Sequence, residues 1–158
     1  MADVMRYRSG PTNPVSVAVE SATVIEVGDM VMLVSGYAEP FSDQADLGTK
    51  AQNQEGAHDA FIGVSMDRSR AGDTTPITVA TTGAFEFIAT SASYALGALV
   101  GPAGTGASDA VGVANQTVEA VATANLAVGR VVRASGTATT ALVEIVSTVT
   151  RGGPMTMA

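Results

Sequence analysis

Cysteine and tryptophan are absent from the 158-residue chain, lysine and histidine occur once each, as Lys50 and His58, and leucine only six times. Without cysteine there is no disulfide, no thiolate metal site and no cysteine nucleophile. A single histidine leaves serine nucleophiles short of their usual base. Basic residues are also scarce: eight stand against fifteen acidic ones, a net charge of −7. Nucleic-acid binders displace counterions with clustered Lys and Arg, so the chain is expected to bind no nucleic acid. Attraction to an anionic membrane is disfavoured for the same reason. The uncharged stretch 87–108 is interrupted by Ser, Thr, Gly and Pro and falls short of the ~20 predominantly apolar residues of a membrane span. Met1–Arg6 lacks the basic start and apolar run of a secretion signal.

What is abundant is small or β-branched: 27 Ala, 21 Val, 18 Thr and 17 Gly. Val and Thr runs punctuated by glycine favour strands over helices. Met30–Val34, apolar on both faces, predicts a central strand. Further strands are expected at Phe61–Met66, Ile77–Ala80 and Ala84–Ile88, the last with Phe85 and Phe87 on one face opposite Glu86. Val128–Arg133 and Leu142–Ser147 read as a closing pair joined across Ser135–Thr137. Residues 115–126, with Val118, Val121, Ala122 and Leu126 at helical spacing, are the place for one short helix. A step of apolar residue, Gly, variable residue and apolar pair recurs at Gly28, Gly97 and Gly129 and predicts a tight turn entering a strand each time. The expected fold is therefore all-β: a small barrel with at most one short helix.

Three regions stand apart. Residues 1–20 are expected as an extended N-terminal arm, with two X-Pro steps at Pro11 and Pro14 opposing helix and Val15, Val17 and Val19 alternating as in a half-buried strand. Such a segment suits pairing with a sheet of this chain or of a neighbour, and Arg6, Tyr7 and Arg8 add groups able to bridge to carboxylates. Residues 21–150 form the barrel domain and 151–158 a loose tail. Within the barrel, residues 39–60 read as a long polar loop. Loops of that length commonly bind something, which makes Asp43, Asp46, Glu55, His58 and Asp59 candidate contacts.

The chain offers little for catalysis. Gly63-Val64-Ser65-Met66-Asp67 lacks the second glycine of a nucleophile elbow and has no following helix. Glu55, His58 and Asp59 have no helical pattern to hold them on one face for a metal. Gly101–Ser108 lacks the lysine of a phosphate loop and reads as a connection between strands. No enzyme activity, cofactor or metal is expected.

As a set, these segments resemble the head-decoration, or capsid cement, proteins of tailed bacteriophages. The resemblance covers roughly residues 15–149. It is carried by Val24-Ile25-Glu26-Val27-Gly28-Asp29-Met30-Val31, by Phe61–Met66, by Ala71-Gly72-Asp73 leading into Ile77–Phe87, by Ala95–Val100 and by Val128–Val132. It implies a β-barrel or β-tulip, a homotrimer on the major capsid protein at the outer surface of the virion, synthesis in the host cytoplasm, and no catalytic residues. A virion fibre, spike or other glycan-binding module is the second reading. Glycan sites expose aromatics, whereas Tyr7, Tyr37 and Tyr94 are widely spread. A trimeric nucleotide hydrolase would need a Gly-x-Ile-Asp signature, which is missing.

Overall fold

A computed structural model describes residues 3–106 and 112–152. Its strands are β1 (Tyr7–Ser9), β2 (Val15–Val17), β3 (Met30–Val34), β4 (Tyr37–Pro40), β5 (Phe61–Ser65), β6 (Ile77–Ala80), β7 (Thr82–Tyr94), β8 (Leu99–Gly104), β9 (Val113–Ala120), β10 (Gly129–Val131) and β11 (Ser135–Val146). Helix α1 spans Lys50–Ala60 and the single-turn α2 spans Thr148–Arg151. Among the described residues no helix is long and apolar enough to cross a membrane.

The architecture is all-β, as the composition predicts. Strands β7, β11, β10, β8 and β9 hydrogen-bond in that order, and β9 returns to β7 to close a five-stranded barrel. Closure removes the edges that would otherwise offer unpaired backbone groups. The β7–β9 seam is the barrel's parallel contact, at Ile88–Thr117 and Ala89–Val118. β1 lies antiparallel to the start of β7. The second sheet, ordered β2-β6-β5-β3-β4, is antiparallel throughout. Its outer strands are drawn together by a bridge between Ala18 and Tyr37, where the Ala38 N–H donates to the Ala18 carbonyl at 2.9 Å.

Two apolar cores result. Met30, Met32, Phe61 and Val64 point from the second sheet into the core shared with the barrel, where they join Phe85, Phe87, Val118, Val143 and Ile145. Val31 and Ile62, on the opposite face, pack with Val17, Val19, Ile25, Ile77 and Val79 in a smaller core. The two apolar faces of Met30–Val34 are thus explained: each serves a different core.

Four expectations change. The described part of the expected 1–20 arm, residues 3–20, does not stand apart: β1 joins the barrel sheet, β2 joins the second, and Val17 and Val19 are buried in the smaller core. The 39–60 segment is not a loop but a 3-10 turn (Phe41–Asp43) followed by α1. Thr49 caps that helix by accepting from the Gln52 N–H at 3.2 Å. The helix escapes a search for apolar periodicity because its buried face is polar: Asn53, Gln54 and His58 around Ala57. Conversely, 115–126 holds no helix of regular length; it is β9 followed by a 3-10 turn at Ala124–Leu126, and β9 buries Gln116 and Val118 at strand spacing. Finally, Gly101–Gly104 belongs to β8 rather than to a connection, while 107–108 fall outside the described residues.

Two of the three repeated steps are the same turn. Asp29 N–H donates to Glu26 O and Ala98 N–H to Ala95 O, each at 3.1 Å, with Gly28 (φ +95°) and Gly97 (φ +84°) at the third position. A positive φ there is the mark of a type II turn and favours glycine. Gly129 differs. It lies inside β10, and the nearest turn precedes it, where Ala127 N–H donates to Ala124 O. The closing pair is correct in pairing, with Arg130 opposite Glu144, but Ser135–Thr137 already belong to β11. Of the expected tail, Arg151 ends α2; 153–158 lie outside the described residues.

Candidate functional site

The N-terminal contact candidates are held by their own chain. Arg6 is buried, and its guanidinium donates from Nε (3.2 Å) and Nη2 (2.9 Å) to Gln116 Oε1. Gln116 Nε2 passes the connection on to Asp29 Oδ1 at 2.8 Å, and Asp29 Oδ2 accepts from the Glu26 N–H at 2.9 Å. This buried row ties the N-terminal segment, the turn before β3 and β9 together. Burial pushes the Asp29 carboxyl up, against the lowering effect of its two hydrogen bonds. Tyr7 packs edge-on against Phe85, with ring centroids 5.7 Å apart, and its hydroxyl donates to the Gly10 carbonyl at 2.7 Å. Arg8 pairs with Glu86 at 3.1 Å, an exposed contact worth little by itself. The Pro11 carbonyl accepts from Thr82 Oγ1 at 2.7 Å. Pro14 is exposed, and Val15 is half-buried, facing Val79 across the β2–β6 pair.

The second candidate set does not converge. Asp43 ends the 3-10 turn, where burial raises its carboxyl. Glu55 Oε1 accepts from Asn125 Nδ2 at 3.1 Å, and Asp59 is exposed on α1. His58 is buried and places Nδ1 2.6 Å from the Ala127 carbonyl; a carbonyl only accepts, so Nδ1 carries the proton. That contact, with Gln54 Nε2 donating to Pro102 O (2.8 Å) and Glu119 Oε1 (2.9 Å), seats α1 on the barrel. Among the described residues no three His, Asp or Glu side chains form a group able to hold a metal.

Asp46 is a structural carboxylate. Its Oδ1 accepts from the Gly48 N–H at 2.9 Å and from Asn53 Nδ2 at 3.1 Å, and these bonds hold its carboxyl below the ordinary value. A carboxyl lowered on folding adds stability above its unfolded pKa and loses it as pH falls through the folded one. Acidification from about pH 6 to about pH 2 is therefore expected to lower the protection factor of the Gly48 amide, its exchange measured against the intrinsic rate at each pH. Asp46→Ala should show the lowered protection already at neutral pH. Equal protection in both proteins at neutral pH would show that the cap is idle.

An open cleft of about 500 Å³ runs past Asp3, Arg68, Asp67, Asp73 and Thr75. Its charged groups are engaged within the chain. Arg68 pairs with Asp3 at 2.8 Å, Asp67 accepts from the Thr78 N–H at 2.8 Å, and Asp73 from the Thr75 N–H at 2.8 Å. Asp3 also bonds Glu26, which raises the Glu26 carboxyl and lowers that of Asp3.

The sequence pointed to the right segments without showing that they face inward. No motif marks Gln116 and Asp29, the centre of the buried row; the alternation of a polar residue with valine in Gln116-Thr117-Val118 is the signal the sequence carries. No protein-family model matches the chain, and no curated protein matches it.

Proposed function

We propose that the chain is a non-enzymatic capsid-decoration protein that seats as a homotrimer on the major capsid protein at the outside of a phage head and braces the shell against internal DNA pressure. The observation that carries this reading is where the family-like segments fall. The Gly28 step enters β3, Phe61–Met66 is centred on β5, Ile77–Phe87 spans β6 and the start of β7, Ala95–Val100 enters β8, and Val128–Val132 contains β10. All of them build the closed barrel and the sheet stacked on it.

The chemistry of the buried polar groups favours a role through contact. The buried polar groups Arg6, Asp29, Gln116 and His58 are spent on joining segments of the chain. Three copies engaging a shell at once convert weak single contacts into firm retention, and a net charge of −7 keeps free copies soluble and away from DNA.

The test is binding. Purified protein mixed with expanded, empty shells of the phage that encodes it is expected to sediment with them and to raise their disruption temperature. Protein that stays in the supernatant and leaves shell melting unchanged would dismiss the reading.

A further inference from the structure

A second open cleft, of about 510 Å³, lies where the outer strands of the smaller sheet meet, and its lining includes Glu20, Ser21, Tyr37 and Thr74. It differs from the Asp3–Arg68 cleft in one respect that matters chemically. Among the described residues the side chains of these four have no hydrogen-bond or ion-pair partner, whereas the other cleft's charged groups are consumed within the chain. Tyr37 is also the tyrosine left exposed, at 37%; Tyr94 is buried and Tyr7 covers Phe85.

The walls are fixed by main-chain bonds. Ala38 N–H to Ala18 O (2.9 Å) holds Tyr37 beside the segment that leads from β2 to Glu20. Gly72 N–H to Ser21 O (2.6 Å) ties the loop bearing Thr74 to the same segment, and Thr23 N–H to Glu20 O (3.0 Å) closes the turn between them. Asp73, accepting from Thr75 N–H at 2.8 Å, sets the loop around Thr74. A frame fixed by main-chain bonds lowers the ordering cost of binding, and the volume lies within the range of small-molecule sites.

We propose that this cleft binds a neutral saccharide, with the sugar ring stacked on Tyr37 and its hydroxyls bonded to Glu20, Ser21 and Thr74. The lining has an aromatic face, one carboxylate acceptor and two hydroxyls that both donate and accept, which matches a polyhydroxylated ring. It has no cationic side chain, and its one acidic group is the Glu20 carboxylate, so anionic sugars are repelled. An ammonium ligand would use the two hydroxyls only as acceptors and leave their donor hydrogens unused. The site is independent of shell binding and goes beyond it.

Titration of 15N-labelled protein with glucose, galactose, mannose and N-acetylglucosamine is the test, with ethylammonium as the cationic control. At least one sugar is expected to shift amides of residues 18–22, 37 and 74. Tyr37→Ala should weaken that sugar by about tenfold, the loss of one aromatic stack, while Tyr37→Phe retains it. Thr74→Val, a change on an exposed loop, should weaken it with the spectrum otherwise intact. The proposal is overturned if no sugar shifts these amides, if ethylammonium alone does, or if the affinity is the same in Tyr37→Ala and Thr74→Val as in the parent.

Discussion

Replacing Gly63 by alanine is expected to cost this protein several kcal/mol of stability and to lower its melting temperature steeply. Gly63 sits in β5 between β3 and β6, at an irregular register where Val31 faces Gly63 and Met32 faces Phe61. Its φ of +155° is one that side chains rarely adopt, and an added Cβ would lie 1.8 Å from the Ala80 carbonyl oxygen. Neither neighbour can yield, because the obstructing atom is backbone in a paired strand. Overpacking and backbone strain each cost about 1–3 kcal/mol in ordinary cases, against a total stability of about 5–15 kcal/mol. Gly136→Ala is the control: no atom lies within 4 Å of its Cβ and its φ is ordinary, so it should stay within about 0.5 kcal/mol of the parent. Thermal unfolding by circular dichroism separates the two. Equal melting of Gly63→Ala and the parent would mean that β5 and β6 are not packed as described.

Deletion of residues 1–20 is expected to be more severe, although a free arm would make it harmless to the fold. The deletion removes β2, exposes the edge of β6, and strips Val17 and Val19 from the smaller core. Burying a valine contributes about 1.5–3 kcal/mol, so the two valines alone account for a large part of the margin. It also removes Arg6 from Gln116, the residue that bonds Asp29. The truncated chain should be insoluble or lack a cooperative melting transition. A soluble, cooperatively folding truncation would restore the detachable arm and contradict the two-core architecture.

The strands legible in the sequence are those rich in Val, Ile, Met or Phe: Met30–Val34 and Ile77–Ala80 have the expected limits, and Phe61–Met66 is one residue too long. β7 and β11 run further than expected because their outer halves, Thr90–Tyr94 and Ser135–Thr140, are Thr, Ser, Ala and Gly with a single aromatic, and carry no apolar alternation. Helix α1 was hidden by the reverse case, a buried face made of amides and an imidazole that bond to backbone and carboxylate. Its capping pair, Thr49 and Gln52, was the legible sign. Val15–Val19 was rightly extended. Which sheet it joins depends on residues far away in sequence, Ile77–Val79 and Tyr37, and no local pattern encodes that. The Tyr37 cleft escaped for the same reason, since Glu20, Tyr37 and Thr74 meet only after the second sheet has formed.

On the proposed function the protein is a brace whose buried polar groups serve its own rigidity and whose outer surface serves contact. An electron-microscopy reconstruction of the virion tests this most directly. The account predicts three copies of the barrel and its stacked sheet around local threefold positions on the outside of the shell. A shell whose outer density accounts for the capsid protein alone, with this chain found elsewhere, would contradict it.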